Sequence, residues 1–165
     1  LRTDAVLLSL IFSFSFALPG ITLLAEEREC TGVSIDIRAL IGSEPASDGV
    51  GGVSAASLDS DIKDLASQLS RLRYEKFELL DFKQQEVNLR SRRKVELPRG
   101  QKLVFKPMYV EGNRVGMWMR WNDHKGMRLL DTLMHFECGE TIVSGVESSN
   151  DHGYILAIKV HPIYK

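Results

Sequence analysis

Two short segments of this chain of 165 residues combine the side chains that bind metals. Asn122-Asp123-His124 and Asn150-Asp151-His152 each lie beside a glycine, Gly126 and Gly153. Imidazole and carboxylate together suit a borderline cation such as zinc, so two such turns meeting at one end of a sheet would form a site. His124, His152, Asp123 and Asp151 would be its ligands, with Asp131 and His135 close in sequence. A plainer origin competes. Asn, Asp and Gly populate hairpin turns because they tolerate positive φ and bond their own backbone. That accounts for everything in both turns except the histidines.

Nucleophilic chemistry finds less support. No GxSxG elbow is present, and Cys138 has His135 three residues before it. On a strand those two positions point to opposite faces and do not pair as thiolate and base. Glu137 and Glu140 are separated by a turn expected at Gly139, which disfavours a carboxylate dyad. Gly49, Gly51 and Gly52 match neither phosphate-cradling spacing. The chain is therefore expected to be no enzyme and to need no cofactor. Cys30 and Cys138 are its two cysteines. In an exported protein they can pair, and a bridge closing so long a loop stabilises by ~4–5 kcal/mol in the chain-entropy picture. Cys30 lies where chain ends are usually loose, so bridged and free forms both stand.

Contact chemistry is better represented. In RVGMWMRW, Val115, Met117, Met119 and Trp121 alternate with Gly116, Trp118 and Arg120, so a strand here puts the two tryptophans on opposite faces. Trp118 beside Arg120 and Arg114, with Tyr109 on the preceding strand, has the composition of a partner-binding patch. Against that, a helix or second sheet covering both faces would bury Trp118 as ordinary core, and the sequence favours this covered arrangement. An exposed strand edge offers another docking route.

The elements that hold these residues follow from periodicity. Ala5 to Ala25 is apolar after Arg2, is broken at Pro19-Gly20 and is followed by Glu26 and Glu27, the layout of a secretory signal at 1–25. Its first part, about 14 residues, is short of the ~20 that span a membrane; the whole stretch is long enough to serve as an uncleaved anchor. Opening on Leu1 instead of Met, the chain is expected to use a non-standard start codon or to lack its first residues. Residues 26–57 then supply a strand, Val33 to Ile41, and a Gly/Ser-rich loop from Ser43 to Ser57.

Residues 58–165 supply the main domain. Ile62, Leu65, Ala66, Leu69 and Leu72 predict one amphipathic α-helix of about 14 residues, capped by Asp59 or Ser60. From Tyr74 onward short strands alternate with turns at Pro98-Arg99-Gly100, Glu111-Gly112-Asn113 and Asn122 to Gly126. Lys76 to Phe82 and Gln84 to Arg92 read as successive segments, and Pro107 marks an edge or a bulge. The fold class is α+β: a compact, mainly antiparallel β domain with one amphipathic helix packed on it. A formal net charge of −1 argues against a nucleic-acid partner. The basic run Arg90, Arg92, Arg93 and Lys94 reads as a solvated strand face, with an anionic contact as its alternative.

The pieces Tyr74-Phe77-Leu79-Leu80, Leu97-Pro98-Gly100-Leu103-Pro107, Glu111 to Val115, Gly139 to Gly145 and Tyr154 to Val160 together resemble uncharacterised small exported domains of bacterial envelope proteins. The last two pieces, with Pro162, are also similar to the terminal hairpin of outer-membrane secretins. These resemblances imply a periplasmic or envelope setting, an envelope protein partner and a link to secretion machinery, and they bring no catalytic residue. The expected function is a non-enzymatic interaction module; the alternative is a periplasmic domain binding a small ligand or a metal. Contact with the membrane would come only through an uncleaved N-terminal segment.

Overall fold

A computed structural model of the protein describes residues 29–45, 58–149 and 152–165. The signal-like stretch, most of the Gly/Ser-rich loop and Asp151 lie outside those residues. The described chain forms two four-stranded sheets in which every ladder is antiparallel. The first contains β1 (Cys30–Pro45), β2 (Tyr74–Asn88), β7 (Thr141–Ser149) and β8 (His152–Tyr164), in the order β2-β1-β8-β7. The second is a simple meander of β3 (Arg93–Glu96), β4 (Lys102–Glu111), β5 (Arg114–Asn122) and β6 (Arg128–Glu137). Successive strands pair throughout except at the two crossings between sheets, and β8 closes back onto β1. The topology is an up-and-down barrel flattened into two layers and open at two corners.

Period-two patterning places the core between the layers. Val33, Ile35, Ile37 and Ala39 of β1 and Tyr154, Leu156, Ile158 and Val160 of β8 point inward from the first sheet. Leu103, Phe105, Val115, Met117, Met119, Trp121 and Phe136 meet them from the second. The N-terminal strand is thus a central strand of the fold, paired on both sides. Its hydrophobic alternation, with Ser34, Asp36 and Arg38 directed away from the core, is what fixes that register.

A second apolar cluster lies on the outer face of the first sheet, where Leu58, Ile62, Leu65 and Leu69 pack on Leu40, Phe77, Ile155 and Ala157. The apolar stripe rests on a sheet, but the long α-helix expected there is replaced. Ser60–Leu65 is a 3-10 helix, and only Ala66–Leu69 is α-helical. Asp59 makes no side-chain capping bond, and Ser60 Oγ bonds Asp61 instead of the helix start. So short a segment gains its stability from packing, and its geometry follows the contacts. Ile62 and Leu65 are aligned by three residues per turn, Leu65 and Leu69 by an α-turn.

The two segments expected between Lys76 and Arg92 are also different: they form one strand, β2, with a register shift opposite Ala39 and Leu40. It ends at Asn88, and the chain then turns with Arg90 at φ 64°. Pro107 does mark a bulge, since the β4–β5 register shifts between Pro107 and Tyr109. No helix among the described residues is long and apolar enough to cross a membrane.

Candidate functional site

Strand β5 sorts its two tryptophans as its alternation requires. Trp121 is fully buried, donates from Nε1 to Gln101 Oε1 at 2.6 Å, and meets the Tyr154 ring at 5.7 Å. Trp118 lies on the outer face of the second sheet and is only partly buried. Its Nε1 donates to Asp131 Oδ1 at 2.9 Å. The other oxygen of Asp131 accepts from Arg120 Nε at 3.0 Å and pairs with an Arg128 nitrogen at 3.2 Å. Two guanidinium groups lie against the indole, Arg92 at 5.2 Å and Arg120 at 5.1 Å from its centroid. Both distances fall within the range of attraction by the ring quadrupole.

The cross-strand register explains the assembly. Arg120 is opposite Asp131, and Trp118 is flanked by Lys106 on β4 and Leu133 on β6. Such directly opposed pairs are the units that stabilise a sheet face. One row further, Tyr109, Gly116 and His135 stand abreast. The Tyr109 ring occupies the space over Gly116 that a Cβ would fill, and it approaches His135 at 6.1 Å between centroids. At the end of the strand Arg114 pairs with Glu137 at 3.4 Å, a solvent-exposed contact of little energetic weight.

All four contact candidates from the sequence, Trp118, Arg120, Arg114 and Tyr109, therefore share one face. The expectation that both faces of this strand would be covered is corrected. The opposite sheet covers the Trp121 face, while the helical segment lies on the first sheet, and no described element covers Trp118. Arg92 is the residue that sequence reasoning missed. It belongs to the basic run read as a strand face, but it sits in the β2–β3 turn, which Arg90 anchors by donating its backbone N–H to Pro107 O at 2.7 Å. Periodicity holds no signal for a turn residue reaching across a sheet.

Charge on this face is unevenly settled. Asp131 is shared by two guanidinium groups, and Glu96 faces Lys94 at 3.9 Å. Among the described residues, Arg92, Lys102 and Lys106 have no carboxylate within ion-pair distance. The centre of the face is thus a clamped aromatic ring beside one paired cation, Arg120, and two, Arg92 and Lys106, without a described carboxylate.

The other candidates are placed differently. Asp123 is held by its own turn, with Oδ1 accepting the N–H groups of Lys125 at 2.9 Å and Met127 at 2.7 Å. His124 is exposed in that turn, and His152 is exposed at the start of β8. Among the described residues no three His, Cys, Asp or Glu side chains gather as a metal-binding group. Cys30 and Cys138 are free thiols, both partly buried. Burial, aided by the charge of Glu137, raises the Cys138 pKa above the usual thiol value, a direction that disfavours the thiolate. An open groove of about 680 Å³, lined in part by Cys30, Asn88, Arg90 and Tyr109, runs beside the β4 bulge. It contains none of the expected metal ligands.

No known family model matches the chain, and no curated protein does. Among solved structures it is similar to the type II secretion system (T2SS) secretin XcpQ from Pseudomonas aeruginosa, with 9% identity and a TM-score of 0.37. The likeness covers 82% of this chain and 57% of the secretin chain, and at that score it carries no argument about function.

Proposed function

We propose that this chain is a non-enzymatic interaction module of the bacterial cell envelope, docking a protein partner through the outer face of the second sheet. The observation that carries the reading is Trp118. It is a partly exposed tryptophan, fixed by a hydrogen bond to Asp131 and flanked by two guanidinium groups, on a face that no described element covers. Tryptophan and arginine dominate the residues that anchor protein interfaces, and a ring already held in place loses little freedom on binding. The use of an Asp123 carboxylate oxygen in its own turn supports contact over catalysis. The envelope setting is supported by the signal-like stretch Ala5 to Ala25.

The test is cross-linking of the tagged full-length protein in its own host, followed by isolation of the envelope. The expected result is a reproducible partner at near-equal amount, lost in Trp118→Ala and retained in Phe82→Ala, which alters the exposed aromatic on the other sheet. Recovery of the protein alone overturns the reading.

A further inference from the structure

We infer that the partner segment received by this face is an acidic, extended peptide carrying an apolar residue about three positions from its carboxylates. The inference rests on the docking role proposed above and adds the chemistry of the occupant. Arg92 is the first observation. Its guanidinium lies against Trp118, and no described carboxylate reaches it. A guanidinium drawn to a ring at this distance uses none of its N–H groups on a carboxylate, so the fork that binds carboxylates is available. Arg120 shows the pairing this face supports, because one side chain here both approaches the same ring and holds a carboxylate at 3.0 Å.

Lys106 and Leu133 set the spacing. They are the register neighbours of Trp118 on either side, the first without a described carboxylate partner and the second 46% exposed. Two strand separations put these side chains roughly 10 Å apart, which an extended chain crosses in about three residues. A segment lying across the strands therefore sets its carboxylates on Arg92 and Lys106 and its apolar residue on Leu133, with Trp118 beneath. Charge complementarity selects the acidic partner and speeds its encounter, while the apolar contact fixes the direction of the segment.

The test titrates the purified chain with a synthetic peptide bearing two glutamates three residues before a leucine, followed by tryptophan fluorescence. Trp118→Phe identifies the reporting ring, since Trp121 stays buried. Saturable binding is expected, weakening with salt and falling at least tenfold in the Arg92→Glu, Lys106→Glu double variant. A glutamine version of the peptide is expected to bind at least tenfold more weakly. Circular dichroism and thermal unfolding of the double variant establish that its fold is intact; if it is not, Arg92→Gln alone replaces it. Equal binding of the glutamate and glutamine peptides overturns the inference, as does tighter binding of a single-stranded oligonucleotide. A photo-cross-linker at Leu133 separates the two readings. Capture of an envelope protein through a neutral or basic segment overturns the acidic occupant and leaves the docking face standing, whereas capture through an acidic segment supports both.

Discussion

On the first sheet, Leu40, Ile155 and Ala157 lie beneath Ile62, Leu65 and Leu69 of the helical segment; on the second, the outward positions of β5 and β6 carry Trp118, Arg120, Asp131 and Leu133 under no described element. The covered face is apolar and closed by a fragment that is barely a helix. The open face centres on a network of Trp118, Asp131, Arg120 and Arg128, with Arg92 and Lys106 beside it lacking a described carboxylate. A sheet face left in water must be polar or hold its aromatic groups by specific bonds. Here the bonds run from Trp118 to Asp131 and from Asp131 to two arginines. The difference teaches that the two faces meet water in different ways: the first is closed by apolar packing, and the second is held by polar bonds among its own side chains.

The sharpest way to break that comparison is along β5 itself. Trp121→Ala removes a fully buried ring and leaves the buried Gln101 oxygen without its donor, so a loss of about 3–5 kcal/mol is expected. Trp118→Ala removes a partly exposed ring and leaves Asp131 still paired with Arg120 and Arg128, so the loss is expected below about 1.5 kcal/mol. Urea unfolding midpoints at constant slope measure both. Equal losses would mean that Trp118 is core, and the docking face would lose its centre.

A second pair compares the two coverings. Leu69→Ala is expected to cost about 2–5 kcal/mol, since Leu69 is fully buried under the first sheet's cap. Leu133→Ala, on the open face, is expected to stay within about 0.5 kcal/mol. If Leu133 proved as costly as Leu69, some element outside the described residues would have to cover it. The same urea measurement decides.

Much of this architecture was legible because period two is clear in β1 and β5, two of the strands that form the core. Val33 to Ala39 and Val115 to Trp121 each show their buried side in the sequence alone, whereas Tyr154 to Val160 is apolar on both faces because both are covered. Of the edge or bulge expected at Pro107, the bulge formed. What could not be read is of another kind. The helical stripe of Ile62, Leu65 and Leu69 satisfies both a 3-10 and an α repeat, so packing chose between them. The site was half legible: alternation put Trp118, Arg120 and Arg114 on one face, but nothing in it predicts which face the helix covers. Arg92 was invisible because its position depends on a turn held by Arg90 and the Pro107 carbonyl, a contact between residues on different strands.

Both outer faces also use an aromatic ring laid over glycine, and this yields a finer comparison. Tyr74 fills the space over Gly42, where a Cβ would stand 2.6 Å from its Cδ2, and over Gly153 as well. Tyr109 does the same over Gly116. Tyr74 is 5% exposed, and it belongs to the covered cluster, so it has nowhere to go. Gly153→Ala is accordingly expected to cost about 1–3 kcal/mol by overpacking. Tyr109 is half-buried on the open face and can swing outward, so Gly116→Ala is expected to cost less than about 1 kcal/mol, and adding Tyr109→Ala removes the clash. A larger cost at Gly116 would show that the open face is as rigid as the covered one.

The smallest effect lies in the layer both faces share. Tyr154 is buried beside Trp121, and its hydroxyl donates to Pro98 O at a long 3.4 Å. Burial raises its pKa above the ordinary phenol value; the charge of Asp81 adds to this, and Arg99 opposes it. Because the folded state favours the neutral phenol, its contribution is fully present below the unfolded value of about 10. It is lost as pH rises above that, where the unfolded chain releases its proton first. Tyr154→Phe gives up the hydroxyl's bond at a cost below about 1 kcal/mol at neutral pH and has no proton to release. The gap between the two proteins is therefore expected to close above pH ~10 and then reverse. Unfolding midpoints taken from neutral to strongly alkaline buffer read this directly. Parallel curves would mean that the phenol ionises as readily inside the sandwich as in the unfolded chain, and that water reaches the layer on which both faces depend.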